Sequence, residues 1–128
     1  MIAVPSNARI LVARRPIDLR AGHDRLAALV TQALADDPFC GTIFVFRSKR
    51  ADKLKVIVWD RSGLWLHYKR LEQRAFIWPA IAEGTITLIP AQLTLLLAGL
   101  DWRKVAPQAI RRPLKTGAVF LVFQGGSG

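Results

Sequence analysis

The chain has 128 residues, of which 52% are hydrophobic, and its 19 Lys and Arg outnumber its 9 Asp and Glu to give a formal net charge of +10. This length fits one domain, and the hydrophobic content argues against disorder over most of the chain. The charge excess indicates an anionic partner, for which nucleic acid, an anionic membrane surface and an acidic protein are the candidates; charge that only keeps the protein soluble is the simpler alternative.

In chain order, the sequence first predicts a strand over Ala8–Ala13, a short basic turn and then a helix. Asp18 is a suitable N-cap for this helix, although Gly22 favours a start nearer His23. Apolar residues recur at helical spacing up to Leu34, and the helix is expected to end before Pro38.

From residue 42 onward the hydrophobic period changes to two, which is typical of strands. The predicted elements are strands over Thr42–Arg47, Lys53–Asp60, Leu64–Leu71 and Gly84–Ile89, followed by a helix over Pro90–Leu97. The order is therefore β-α-β-β-β-β-α, and we expect an α+β fold, a small antiparallel sheet with two helices packed on it. Residues 1–104 are expected to form this single domain. Residues 105–128 are expected to be a peripheral tail, basic and then apolar, with a Gly/Ser end typical of an artificial linker.

Several features favour the cytoplasm. Cys40, the one cysteine, cannot form an internal disulfide, which indicates a reducing compartment. The first six residues lack the basic stretch and apolar core of a signal peptide. The most apolar window, Ile89–Leu100, is interrupted by Pro90 and Gly99, whereas about 20 apolar residues are needed to cross a bilayer. We expect no membrane partner.

Positive charge is concentrated between Arg47 and Arg74, where nine basic residues accompany three acidic ones and two Trp. A three-residue turn ending at Gly63 would close a hairpin and pair Asp60 with Leu64. On this register, alternate residues such as Val56 and Val58 face the core. The opposite, open face then carries Trp59 opposite Trp65 and Lys55 opposite Lys69.

Such a face suits nucleic acid, because lysines neutralise phosphates and exposed aromatic rings stack on unpaired bases. The predicted DNA-binding residues are Arg47, Lys49, Arg50, Lys53, Lys55, Trp59, Arg61, Trp65 and Lys69. Three other interpretations remain open at this point: the indoles are covered by a helix, the lysines protect an exposed strand edge, or the face binds a protein.

No pattern in the sequence predicts catalysis. His67 has no His or Cys partner at zinc-ligand spacing, the acidic residues form no pair of the kind that a two-metal nuclease needs, and no glycine-rich phosphate loop is present. We therefore expect a protein that is not an enzyme and has no metal, cofactor or small-molecule substrate. A hydrolase or nuclease would instead depend on an acid such as Asp18 or Asp60.

The chain resembles the accessory-protein family TnpB, also called Orf2, of insertion-sequence family sixty-six. The matching segments cover nearly all residues from Met1 to Arg103 and read MIAVPSNARILVA, PIDLRAGHDRLAALV, GTIFVFRSKRADKLKVIVWDRSGLWLHYKRLEQRAFIWP and ITLIPAQLTLLLAGLDWR. The resemblance implies a non-catalytic accessory protein that supports DNA transposition, with DNA and the separate transposase of the same element as partners. It assigns no catalytic role to the matching residues.

Two binding functions follow. The first is DNA binding through the basic, aromatic hairpin. The alternative is a protein adaptor that docks onto the transposase without contacting DNA, through Trp59, Trp65 and the segment Phe76–Pro79.

Overall fold

The computed structural model describes residues 4–105, which contain five strands and two helices. In chain order the elements are β1 (Ile10–Ala13), α1 (His23–Gln32), β2 (Ile43–Arg47), β3 (Lys53–Trp59), β4 (Leu64–Arg70), β5 (Thr85–Leu88) and α2 (Pro90–Leu97). The predicted α+β class and the predicted order of elements are confirmed. Of the predicted tail, residues 105–128, only Val105 lies within the described residues.

The five strands form one sheet in the order β4-β3-β2-β1-β5. The sheet is mixed, because β1 and β2 run parallel while every other neighbouring pair is antiparallel. The prediction of an antiparallel sheet is therefore wrong for this central pair. The cause is α1, which returns the chain to the end of the sheet where β1 began, so that β2 runs in the same direction as β1.

The two helices cover opposite faces of the sheet. Leu93 and Leu96 of α2 pack with Val12 and Val45, whereas Leu26 of α1 packs in a separate cluster with the strand residues of opposite parity. Successive side chains of a strand point to opposite faces, so both faces of the central strands are buried. This explains why β1 and β2 read as continuous apolar runs. No helix within residues 4–105 is long and apolar enough to span a bilayer.

The ends of the helices differ in part from expectation. The helix α1 begins at His23 with Gly22 as its N-cap, so the later of the two predicted starts is confirmed and Asp18 as the N-cap is wrong. The Asp18 carboxylate instead accepts hydrogen bonds from the backbone N–H and the guanidinium of Arg20. The helix α2 begins at Pro90, as predicted.

The connection between β4 and β5 packs against the α2 side of the sheet. Phe76 is buried there, and the indole N–H of Trp78 donates to the carbonyl oxygen of Ala13 at 2.9 Å. The indole of Trp102, beyond α2, donates to the carbonyl oxygen of Ile77 at 2.6 Å. The segment therefore crosses from one edge of the sheet to the other on the α2 side and is anchored there by Phe76 and Trp78.

The hairpin of β3 and β4 has a different register from the predicted one. Trp59 pairs with Leu64 and Val58 with Trp65, so the loop contains the four residues 60–63 where three were predicted. The Asp60 carboxylate closes this loop by accepting the backbone N–H groups of Ser62 and Gly63 at 2.9 Å each. The shift by one residue exchanges the faces of β4 relative to β3.

Lys55 lies in the interior on the α1 side of the sheet, because α1 covers the face of β3 that the sequence analysis expected to be open. Its side chain is buried, and Nζ donates to the carbonyl oxygens of Leu19 at 2.6 Å and Ala21 at 2.7 Å. The ammonium group also lies 5.5 Å from the centre of the Tyr68 ring. A buried charge is tolerated only where such partners replace water. Lys55 therefore fastens β3 to the segment that precedes α1.

We predict that Lys55→Met destabilises the protein by about 1–3 kcal/mol, because two buried carbonyl groups lose their donor. Lys55→Glu should be more destabilising, since it places a carboxylate against those carbonyl oxygens. Urea unfolding followed by circular dichroism measures both changes. Lys53→Met is the matched control on the same strand: its partly exposed ion pair with Asp52 predicts a loss of at most about 1 kcal/mol. Equal stability of the wild type and Lys55→Met would contradict this role.

The turn also makes Asp60 an unusually strong acid. The pKa of Asp60 is lowered to about 2 because the backbone N–H of Ser62, the Trp65 indole N–H at 2.7 Å and further donors stabilise the ionised form. A carboxyl group with a depressed pKa stabilises the folded state at pH values above its unfolded pKa of about 3.9. This stabilisation is lost as the pH falls from about 4 to about 2.

We therefore predict a midpoint near pH 2 for the Asp60 side-chain carboxyl carbon in an NMR titration, and a higher midpoint in Trp65→Phe, which lacks the indole donor. Asp60→Asn should be less stable than the wild type at neutral pH, and this difference should shrink toward pH 2. A wild-type midpoint near pH 4 would show that the turn does not hold the ionised carboxylate.

Candidate nucleic-acid interface

The predicted register required the hairpin lysines to share one open face. The structure places them on different sides of the sheet. Lys55 is internal on the α1 side. Lys69 lies on the opposite side, where its Nζ donates to the carbonyl oxygen of Leu97 at the end of α2, at 2.7 Å. Lys53 forms an ion pair with Asp52 at 3.0 Å. All three ammonium groups are therefore engaged within the protein.

The two indoles are also separated by the register. Trp59 is half-buried, with its ring edge-to-face against Phe39 at 5.3 Å between centroids. Trp65 belongs to the other face of the sheet, is 55% exposed and stacks on His67 at 5.7 Å. The prediction that Trp59 lies opposite Trp65 on one face is wrong, because the loop has one more residue than expected.

A different basic surface is formed where β1 and β2 end. Because these strands are parallel, their carboxyl ends lie at the same end of the sheet, and the residues that follow each strand are brought together. We call this surface the basic end. It consists of Arg14, Arg15, Arg47, Lys49 and Arg50.

One guanidinium group ties the basic end together. Arg47 donates from Nε and Nη2 to the carbonyl oxygen of Arg14, at 3.2 and 2.9 Å, and from Nη1 to that of Lys49, at 3.4 Å. The backbone N–H of Ile17 in turn donates to the carbonyl oxygen of Arg47 at 2.8 Å. The loop after β1 and the loop after β2 are therefore held together by Arg47.

The charges of the basic end are not neutralised by neighbouring acids in sequence. Neither residues 14–17 nor residues 47–51 include an acidic residue. The acids that flank these loops, Asp18 and Asp52, form ion pairs with Arg20 and Lys53. Arg15, Lys49 and Arg50 are exposed, and their charges therefore face solvent at one end of the molecule.

Of the nine residues predicted to bind DNA, the structure brings together Arg47, Lys49 and Arg50, with Lys53 at the start of the next strand. Arg61, at the hairpin turn, lies at the other end of β3. Lys53 and Trp59 are separated along β3 by about 20 Å, at about 3.3 Å per residue. The cationic and the aromatic parts of the predicted surface are therefore two distinct sites.

The sequence analysis missed the contribution of Arg14 and Arg15 to a common surface. The basic turn itself is visible in the sequence, but its position depends on the parallel pairing of β1 with β2, whose partners are more than 30 residues apart. The signal that could have located it is the strand–helix–strand order of the first three elements, which is typical of parallel neighbours.

The opposite end of the sheet carries an open groove of about 880 Å³, whose lining includes Arg9, Cys40, Thr42, Trp59, Trp65 and His67. Burial lowers the pKa of His67 from its ordinary value, so the imidazole that stacks on Trp65 is uncharged at neutral pH. Arg9 is paired with Asp36 at 3.0 Å. Within residues 4–105, His, Cys, Asp and Glu side chains nowhere form a group of three or more suited to holding a metal ion. Asp60 also lines the groove and, with its lowered pKa of about 2, is ionised at neutral pH. The groove is thus aromatic and carries one carboxylate charge from Asp60.

The segment Phe76–Pro79 does not lie on an open surface, contrary to the expectation attached to the adaptor alternative. Phe76 and Pro79 are buried, and the Trp78 indole is bound to the backbone of β1. Hydrophobic residues in this segment complete the α2 side of the core. Ile77 and Trp78 are half-buried, so the segment offers little free surface for docking.

Comparison with known proteins places the chain in a family. The family model described as IS66 Orf2 like protein matches residues 8–107. Two proteins of Sinorhizobium fredii are similar over nearly their whole length. The uncharacterized protein y4jC is 47% identical over 115 residues, 90% of this chain and 98% of the relative. The uncharacterized protein y4hO is 41% identical over 117 residues, 91% of this chain and 100% of the relative.

No solved structure matches the chain. The family match covers the sheet, both helices and the basic end, so the resemblance noted in the sequence is confirmed. The chain belongs to the IS66 Orf2-like family, a family of transposition accessory proteins of insertion sequences.

Proposed function

We propose that this protein supports transposition by binding DNA through the basic end, as an accessory factor without a reaction of its own. The observation that carries the proposal is the convergence of five cationic residues from two loops on one end of the sheet. The surface differs from the hairpin face that the sequence predicted. The basic end and the predicted hairpin face share three residues, Arg47, Lys49 and Arg50.

Electrostatics supports a polyanion as the partner. Each phosphate neutralised by Lys or Arg releases condensed counterions, which favours binding strongly at low salt. The exposed guanidinium groups of Arg15 and Arg50 are suited to phosphate oxygens, because their planar N–H groups can donate in pairs. Contacts of this kind position a protein on DNA without reading its sequence.

The fixed conformation of the loops after β1 and β2 raises the affinity for DNA. Arg47 binds the backbone of both loops, so less conformational freedom is lost when phosphates are bound. Arg14 is held in a similar way, since its Nε donates to the carbonyl oxygen of Ile81 at 2.9 Å. In this proposal Arg14 and Arg47 position the surface, whereas Arg15, Lys49 and Arg50 make the phosphate contacts.

We predict that Arg50→Gln weakens binding to duplex DNA by about fivefold at 0.15 M salt, and that Arg15→Gln/Arg50→Gln weakens it by about 25-fold. The estimate follows from a change of about 0.9 in the salt slope for each phosphate contact. Fluorescence anisotropy with a labelled 20-base-pair duplex at several salt concentrations measures both affinity and slope.

Arg61→Gln is the matched control. It removes the same charge from another exposed loop, at the far end of β3, and should leave affinity and salt slope nearly unchanged. Circular dichroism verifies that each variant is folded. Equal losses in Arg50→Gln and Arg61→Gln would show that net charge alone determines binding. Wild-type affinity in the double variant would exclude the basic end.

The exposed Trp65 beside the aromatic groove favours a second candidate, a protein adaptor that docks onto the transposase. Binding to an aromatic groove depends little on salt, unlike phosphate binding. Trp65→Ala should then abolish co-purification of the transposase in 0.5 M salt after nuclease treatment, whereas Arg15→Gln/Arg50→Gln should not affect it. Co-purification lost in the arginine variant alone would instead assign the association to shared DNA.

A further inference from the structure

We propose that β4 pairs with the β4 strand of a second copy of this chain, in antiparallel orientation about a twofold axis at His67. The strand has seven residues and lies at the edge of the sheet. Most of its side chains are exposed or half-buried, with Trp65 and Tyr68 each 55% exposed. The proposal is independent of DNA binding, which involves the basic end and not the outer edge of β4.

The hydrogen bonds of the hairpin identify which backbone groups point outward. Asp60 N–H donates to Gly63 at one end, and Leu71 N–H donates to Asp52 at the other. In an antiparallel ladder, hydrogen-bonded pairs alternate with pairs that are not hydrogen-bonded. The odd-numbered residues of β4 therefore bond to β3. The residues whose N–H and C=O groups point away from the sheet are Leu64, Leu66, Tyr68 and Arg70.

The edge lacks the features that usually prevent pairing. Exposed edges are normally protected by charged side chains, proline or bulges, yet Leu64–Tyr68 includes no Asp, Glu, Lys or Arg and no proline. The two cations that follow are turned elsewhere: Lys69 binds the end of α2, and Arg70 pairs with Glu72 at 3.0 Å. A long, largely apolar edge of this kind is prone to add a strand.

A twofold axis at His67 satisfies both backbone and side-chain requirements. Residues with outward backbone groups then face each other, Leu64 with Arg70 and Leu66 with Tyr68, so all four contribute hydrogen bonds. Trp65 lies opposite Lys69 of the second copy and can pack on its methylene stem, while the ammonium group stays bound to the end of α2. Each cation thus faces an uncharged residue, whereas a parallel, in-register pairing would place like charges side by side.

The pairing stops at two copies. A twofold interface is self-complementary and uses β4 of both chains, so it closes. The other edge of the sheet, β5, has only four residues. The result is a continuous ten-stranded sheet across two copies, with a basic end on each.

The most direct test is a cysteine at the axis, His67→Cys, in a Cys40→Ser background. Residue 67 faces itself in a pair that is not hydrogen-bonded, where Cβ atoms lie about 4.5–5.5 Å apart. This is close to disulfide geometry. Mild oxidation of the full chain should convert most of it into a covalent dimer on non-reducing gels.

Trp65→Cys in the same background is the matched control. In the proposed register its two copies are offset by four residues, about 14 Å along the strand at about 3.4 Å per residue, and should not crosslink. Crosslinking of Trp65→Cys but not of His67→Cys, or equal crosslinking of both, would overturn the register.

Sedimentation equilibrium of the unmodified chain tests the association itself. A dimer is expected at micromolar concentration, and Leu66→Pro should raise its dissociation constant roughly tenfold or more. This substitution removes an outward N–H without breaking the ladder with β3. A monomeric wild type at all concentrations up to about 100 µM, or a dimer unaffected by a folded Leu66→Pro variant, would overturn the proposal.

Discussion

The arrangement of charge depends on the two hydrogen bonds that the buried ammonium group of Lys55 donates. Its two carbonyl acceptors, Leu19 and Ala21, belong to the segment before α1, so the side chain joins β3 to a distant part of the chain. Moving β3 by one residue would point Lys55 to the other face and leave both carbonyl oxygens without this donor. The cost of such unpaired groups makes the observed register strongly preferred. The hairpin consequently has a structural lysine where an open, DNA-binding face was expected.

Two surfaces of different character lie at opposite ends of the sheet. One end of the sheet carries the five cations of the basic end, and the other carries an aromatic groove with Trp65 at its margin. The parallel pairing of β1 and β2 is responsible for the first, because it brings two basic loops together. The long connection after β4 stabilises the sheet between them, since Trp78 is bound to β1 and Phe76 fills the α2 side of the core. The two surfaces therefore differ in both position and charge.

Local patterns in the sequence were sufficient for the order of elements and for the bounds of α2, because Pro90 and the alternating strands carry short-range signals. The register of the hairpin was not predictable in this way. Loops of three and of four residues are both compatible with the turn at Asp60. Hydrophobic alternation, taken alone, predicted that no lysine would lie in the interior. The acceptors that make Lys55 acceptable there come from backbone more than 30 residues away. Arg14 and Arg15 were visible as a basic turn, but their place beside Arg50 required tertiary structure.

The measurement that addresses the central claim most directly is an NMR titration of the labelled protein with a short DNA duplex. If the basic end is the DNA-binding surface, the backbone amide signals of Arg15, Lys49 and Arg50 shift progressively, while the indole signals of Trp59 and Trp65 stay in place. Shifts confined to the two indoles and the neighbouring hairpin turn, with the basic end unaffected, would contradict it.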